Sequence, residues 1–180
     1  MKLIIFIALA LPGFAQAGSP SPYAGEESRQ IKALSPSEQA DLLSGKGMGL
    51  AKAAELNGYP GPAHVLELAP QLELSAEQLA TTRSLFASME QQAKDLGRQL
   101  VEAEHSLDTQ FASRQITAQQ MDQSLAAIGG LQARIRSAHL VAHIEQERIL
   151  SAEQNAMYAK LRGYERGSEP SKDHEQGHQH

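Results

Sequence analysis

Cysteine and tryptophan are absent from the sequence, and aromatic residues make up only 4% of its 180 residues. Without cysteine the chain has no disulfide scaffold and no thiol nucleophile. With so few aromatic residues, the core must be built from leucine, isoleucine, alanine and methionine, as in long helices rather than β-sandwiches. We find no convincing strand pattern, no nucleophile-elbow serine and no phosphate-binding loop. The sequence therefore predicts an all-α protein and gives no indication of an enzyme.

Proline is missing between Pro70 and Pro170, which permits long uninterrupted helices. Two heptad-like patterns predict helices over about 75–112 and 117–150. The link between them, 113–116, is short, so the two helices are expected to pack antiparallel as a hairpin. The apolar positions of the first pattern are Leu79, Thr82, Phe86, Met89, Ala93, Leu96, Leu100, Ala103 and Leu107, and those of the second are Met121, Leu125, Ile128, Leu131, Ile135, Ala138 and Ala142.

Four short motifs predict where helices begin. The pentapeptide Leu-Ser-Ala-Glu-Gln occurs at 74–78 and again at 150–154, with looser copies at 34–38 and 116–120. In each motif Ser or Thr is followed three residues later by Glu or Gln, which is the pattern of an N-terminal capping box. The expected fold is a long antiparallel helical hairpin with short flanking helices. These short helices are predicted over 36–43, 48–56, 63–69 and 151–161.

The second long helix has two irregular features. Gly129-Gly130 inside it predicts a bend or a close approach of another backbone. Residues 138–150 are apolar around much of the helix circumference, which a two-helix hairpin cannot bury. The short helices, the last helix or a second copy of the chain must cover them, and we expect a homodimer. The expected client or dimer surface comprises Met89, Leu140, Val141 and Ile144.

The N-terminus has the pattern of an export signal. Lys2 precedes an unbroken apolar run over 3–11, and Ala15-Gln16-Ala17 has the small-residue pattern of a cleavage site. We expect a signal peptide cleaved after Ala17, with an uncleaved anchor as the alternative. Export of a chain without cysteine suits the bacterial periplasm. The expected organisation is a signal peptide (1–17), a flexible arm (18–33), a helical domain (34–165) and a disordered, histidine-containing tail (166–180).

Histidine carries the one recognisable chemistry. His139 and His143 lie four residues apart on a predicted helix, so both rings project from one face and can share a metal ion. Zinc, nickel, cobalt or copper would need further donors. In the alternative interpretation, His139 borders the core as a hydrogen-bonded ring and His143 is solvated. Candidates for the further donors are His105, Glu102, Glu104 and His64, and the tail residues His174, His178 and His180 would bind metal weakly.

Together these features resemble the LTxxQ proteins of the Spy/CpxP/ZraP group. Segment 140–145, Leu-Val-Ala-His-Ile-Glu, running into the motif at 150–154, is similar to the Ala-His-Met-Glu…Leu-Thr-Pro-Glu-Gln stretch of Spy-like chaperones. The resemblance covers about residues 47–163, with Ser in place of the usual Thr in both exact motifs. It implies an all-α periplasmic protein that dimerises into a curved cradle.

The functions of that group diverge. Spy-like members are ATP-independent chaperones, CpxP-like members damp an envelope-stress sensor kinase, and ZraP-like and CnrX-like members bind zinc, nickel or cobalt. This chain has a formal net charge of −5, which argues against a nucleic-acid partner and departs from the basic cradles of the chaperones. The spacing of His139 and His143 resembles the His-x-x-x-His/Met element of the metal sensors.

Two functional hypotheses follow from the sequence. In the first, the chain is a periplasmic envelope- or metal-stress protein of the Spy/CpxP type. It acts as a chaperone or adaptor, binds a divalent metal, and has unfolded clients or a membrane-bound sensor protein as its partner. In the alternative, it is a dedicated heavy-metal sensor or resistance buffer of the CnrX/ZraP type.

Overall fold

The computed structural model describes residues 21–164. Every regular element in that range is a helix, which confirms the all-α class. None of these helices combines the length and the apolar character that a membrane span requires. The expected signal peptide and the tail from 166 onwards lie outside the described residues. The six helices of the described range are α1 (Pro36–Leu43), α2 (Lys52–Glu55), α3 (Pro62–Glu67), α4 (Ala76–Ala112), α5 (Ala118–Ile149) and α6 (Ala152–Leu161).

All four predicted capping boxes are confirmed. In each, the side chain of the capping Ser or Thr accepts a hydrogen bond from the backbone N–H three residues later, and the Glu or Gln at that position accepts from the backbone of the cap. These reciprocal bonds satisfy donors that the first turn of a helix leaves free, so each helix begins where the motif predicts. The four pairs are Ser35 with Glu38, Ser75 with Gln78, Thr117 with Gln120, and Ser151 with Gln154.

The two exact copies of the repeat also contact each other. Gln78 Nε2 donates to Gln154 Oε1 at 2.7 Å, and Gln154 Nε2 donates back to Gln78 Oε1 at 3.1 Å. Each amide also donates to a backbone carbonyl beside the other helix, Gln78 to Ile149 and Gln154 to Leu72. The repeat therefore ties the start of α4 to the start of α6, a pairing that the sequence analysis did not predict.

The hairpin of α4 and α5 is antiparallel, as predicted. Near the link, Gln110 Nε2 lies 3.3 Å from Ser124 Oγ, and at the far end Gln146 Nε2 donates to Thr82 Oγ1 at 3.2 Å. The predicted seam is buried or partly buried except at Leu125, which is exposed. The neighbouring Ser124 faces α4 in place of Leu125 and bonds to it. At this point the inward-facing position therefore lies one residue before the one that the heptad pattern predicts.

Helix α2 is shorter than predicted. The sequence pattern extends from 48 to 56, but Met48 and Gly49 have positive φ angles of 43° and 77°. A right-handed helix cannot include such residues, so α2 begins only at Lys52. Helix α3 begins with Pro62 at its first position and ends at Glu67, two residues before the predicted end.

Of the two predictions for Gly129-Gly130, the close approach of another backbone is wrong, and the bend stays a prediction. Helix α5 runs unbroken through both residues, and a Cβ atom on either would meet nothing within 4 Å. The close approach lies instead at Gly97 on α4, where a Cβ would collide with the carbonyl oxygen of Leu42 at the end of α1. Glycine at this position lets α1 lie against the hairpin.

Two apolar clusters hold the short elements against the long helices. The first joins α1 to α4 and α5, and the second joins the region around α3 to the end of α5 and to α6. At the end of the expected flexible arm, Ile31 is buried and Lys32 Nζ lies 2.9 Å from Asp108 on α4. The buried members are Leu42, Leu96, Leu100, Ile128 and Ile135 in the first cluster, and Val65, Leu72, Leu150 and Tyr158 in the second.

Candidate metal centre

His139 and His143 line one cleft of about 530 Å³, with Glu55 and His64 in its wall. We call this space the histidine cleft. Its wall is formed by the turn before α2, the start of α3 and the facing parts of α4 and α5. The 3.6-residue period of α5 places the two rings one turn apart on the same side, as the spacing predicts. Both rings are buried, with 5% and 8% of each residue exposed.

The ring of His143 has a defined tautomer. Its Nδ1 lies 2.8 Å from the backbone carbonyl oxygen of Tyr59, which can only accept, so Nδ1 carries the proton and donates. In the neutral ring, Nε2 then keeps its lone pair. Gly61 lies against this side of the ring, and a Cβ there would be 3.0 Å from His143 Cε1. A glycine at this position therefore leaves space beside Nε2.

His139 is the more deeply buried of the two rings. Its Nε2 is enclosed and makes no hydrogen bond with any residue of the described range, 21–164. Burial lowers the pKa of His139, and the neighbouring His143 lowers it further when charged, so the ring is neutral at neutral pH. The alternative drawn from the sequence is right that His139 is buried beside the core and wrong in its other two points, because the described residues give Nε2 of His139 no hydrogen bond and because His143 is buried and hydrogen-bonded. A buried polar nitrogen without a protein partner costs free energy unless a water molecule or a ligand satisfies it, so Nε2 of His139 is open to either.

Glu55 on α2 is a shared acceptor that the sequence analysis missed. Its Oε1 accepts from Tyr158 Oη at 2.6 Å and from Tyr164 Oη at 3.1 Å, and Arg162 Nε lies 3.5 Å away. Burial and the hydrogen bond to Glu55 raise the pKa of the Tyr158 phenol, which keeps it protonated as a donor.

The remaining oxygen of Glu55 faces the histidines. Glu55 Oε2 is buried without a hydrogen bond and lies 3.6 Å from His143 Nδ1, and Oε1 lies 3.6 Å from His64 Nδ1. No local pattern marks Glu55 in the sequence, since it is one of many acidic residues in short helical segments. Its partners lie about a hundred residues away, so only the folded chain identifies it.

The structure does not bring every predicted ligand to the cleft. Glu102 and His105 are exposed on α4 and do not line it, and neither does the partly buried Glu104. His174, His178 and His180 lie outside the described residues. Within residues 21–164, no three His, Asp or Glu side chains are positioned together as a ready ligand set for a metal. The cleft therefore offers two imidazoles, with Glu55 and His64 close to them but not converged.

The four residues of the predicted client or dimer surface do not form one exposed surface. Met89 is not exposed, because it faces the histidine cleft with only 9% of its surface accessible. Leu140 is partly buried. Val141 and Ile144 are 51% and 40% exposed on the outer side of α5. Helices α2 and α3 cover the side of α5 that holds the histidines, and they leave these two apolar side chains uncovered.

Comparison of the chain with protein-family models, with characterised proteins and with solved structures finds no match. The resemblance to the LTxxQ group therefore depends on the short motifs and on their order along the chain.

Proposed function

We propose that this chain is an exported metal-responsive protein whose sensing element is the histidine cleft. The observation that carries the proposal is the pair of buried imidazoles of His139 and His143, one helical turn apart, with the Nδ1 of His143 held by the Tyr59 carbonyl and an unpartnered nitrogen on His139. Metal ions bind neutral imidazole, and burial favours that form of His139 by lowering its pKa. For this reason we favour the sensor hypothesis over the chaperone hypothesis.

The surroundings of the pair support a metal rather than a structural role. Both rings project from the rigid helix α5, so their separation is maintained without a flexible loop. The Tyr59 carbonyl orients His143 by accepting a hydrogen bond from Nδ1, and a backbone carbonyl is a usual hydrogen-bond partner for the second ring nitrogen of a metal-binding histidine. For a bound ion of zinc, nickel, cobalt or copper, Glu55 Oε2 and His64 are the nearest further donors.

Calorimetric titration of the chain from residue 18 onwards tests the proposal. The three tail histidines, His174, His178 and His180, are first changed to Gln so that they contribute no binding. We expect a dissociation constant below about 1 µM for at least one of Zn(II), Ni(II), Co(II) or Cu(II). His139→Ala and His143→Ala should each weaken it at least about tenfold, because each removes a ligand.

The matched control is His105→Ala, which removes an exposed histidine on α4. It should leave the affinity unchanged, and circular dichroism should show unchanged helix content in all three variants. Absence of binding, or equal binding in His139→Ala and the parent, would overturn the proposal.

The proposed working unit is a homodimer in which a second copy covers Val141 and Ile144. These two exposed apolar side chains lie about one helical turn apart on the outer side of α5. The same surface favours the second candidate function, a chaperone or adaptor that binds unfolded clients or a membrane-bound sensor protein. Suppression of client aggregation that is lost in Val141→Asp, with metal binding intact, would favour that function.

A further inference from the structure

We propose that the histidine cleft is selective for Cu(I), which the thioethers of Met48 and Met89 bind together with His139 and His143. This inference rests on the proposed function of the cleft and names its metal. Both methionines line the cleft with the two histidines. Thioether sulfur is a soft donor that selects Cu(I), whereas carboxylates and water suit harder ions.

The two methionines belong to different parts of the cleft wall. Met89 comes from the buried face of α4, with 9% of its surface exposed. Met48 follows Gly47, where a Cβ would lie 3.7 Å from His139 Nδ1, so the backbone beside Met48 passes directly against that ring. Two thioethers and two imidazoles from three parts of the chain therefore border one space.

The backbone at Met48 holds this residue in a turn beside the cleft. Met48 has a φ angle of 43° in the left-handed region, which is costly for a residue with a Cβ. The neighbouring Gly49 has a φ angle of 77° without that cost. Glu73 and Arg114 adopt the same conformation outside the cleft, so the turn fixes where Met48 lies, and the role of its thioether is inferred from the residues that line the cleft.

The available donors fit a soft monovalent ion better than a divalent one. The described residues offer no converged set of three His, Asp or Glu, whereas zinc takes four ligands. Of the two carboxylates that line the cleft, Glu90 is paired with Lys94 at 3.1 Å, and Oε1 of Glu55 accepts from Tyr158, which leaves Oε2 of Glu55 as the one carboxylate oxygen beside the histidines. Cu(I) accepts low coordination numbers, and two thioethers with two imidazoles suffice for it. A single positive charge also costs less to bury beside Phe86 and Met89 than a double charge.

Anaerobic competition between the protein and a coloured Cu(I) chelator, bicinchoninate, tests the proposal. The protein is the chain from residue 18 with the three tail histidines changed to Gln. We expect Met48→Leu and Met89→Leu each to weaken Cu(I) binding at least about tenfold and to leave Zn(II) binding unchanged. Leucine has nearly the volume of methionine, so the fold should tolerate both changes. X-ray absorption of the Cu(I) form should show sulfur among the ligands.

Met157→Leu is the matched control for Met48→Leu, since the two methionines are 42% and 43% exposed and Met157 lies on α6 away from the cleft. It should leave Cu(I) binding unchanged. Equal Cu(I) binding in the parent and both cleft variants, or a Cu(I) site without sulfur, would overturn the inference. If Zn(II) binds through His139 while Cu(I) does not, the inference falls and the proposed function stands. If Cu(I), Zn(II), Ni(II), Co(II) and Cu(II) all fail to bind, both fall.

Discussion

Burial of a single imidazole makes the stability of the protein depend on pH. The folded state holds the pKa of His139 below its ordinary value, so below about pH 6.5 the unfolded chain binds a proton that the folded chain does not. The free energy of unfolding should therefore fall as the pH drops from about 7 to about 5, and His139→Gln should reduce that fall. Urea denaturation at each pH measures the difference.

The exposed His105 provides the control for this pH experiment, since His105→Gln makes the same change outside the cleft. A pH dependence that is the same in His139→Gln and in the parent would contradict the assignment of a buried neutral ring. Comparison of each variant with the parent removes the contribution of every other titrating group.

The sequence predicts part of the site, at the level of residues. The i, i+4 spacing on a predicted helix was enough to place His139 and His143 on one face. The carbonyl of Tyr59 and the carboxylate of Glu55 could not be predicted, because they are brought to the rings by contacts between residues about 80 to 100 positions apart. The sequence suggests Glu102 and His105 as metal ligands only because they lie on the neighbouring helix, and both are on its exposed face.

Two glycines inside long helices should respond to the same mutation in opposite ways. Gly97→Ala should destabilise the protein by about 1–3 kcal/mol, because the added methyl group collides with the end of α1. Gly129→Ala should stabilise it by about 0.5–1 kcal/mol, because the added methyl group meets nothing and alanine favours the helix. Thermal and urea unfolding of the two variants measure both values. A Gly97→Ala variant that is as stable as the parent would contradict the packing at Gly97, and a destabilised Gly129→Ala variant would contradict the open space at Gly129.

The contact between the two repeats should appear as a coupling free energy. We expect a double-mutant cycle of Gln78→Ala and Gln154→Ala to give a coupling of about 1 kcal/mol, since the two amides bond to each other. The cycle of Gln78→Ala with Gln120→Ala is the control. Gln120 holds the same capping position in α5 and bonds only within its own motif, so that cycle should be additive. A coupling near zero between Gln78 and Gln154 would refute the pairing.

Helix boundaries were predictable from the sequence where a capping box marks them. Helices α1, α4, α5 and α6 each begin directly after the predicted cap, because the motif encodes its own hydrogen bonds. Helix α2 has no such motif, and its apolar pattern continues through residues with left-handed backbone. The periodicity of apolar residues predicts which side chains are buried, but it does not predict backbone φ angles.

The outer side of α5 leads to a prediction for the whole molecule. We expect Val141→Asp combined with Ile144→Asp to dissociate the proposed dimer, because a charge on an apolar interface must be desolvated. Sedimentation at several protein concentrations measures the change. Phe111→Asp removes a comparably exposed apolar residue at the far end of α4 and should leave the assembly unchanged. A parent protein that sediments as a monomer at all concentrations would refute the dimer.

The shared carboxylate of Glu55 links the docking of the C-terminal segment to ligand binding in the histidine cleft. Tyr158 belongs to α6 and Tyr164 follows it, so the docking of this C-terminal segment depends on a group that also borders the histidine cleft. A ligand in the cleft that draws Glu55 towards itself must weaken those bonds. By thermodynamic reciprocity, a partner protein that pulls α6 away would change the affinity of the cleft for its ligand by the same factor.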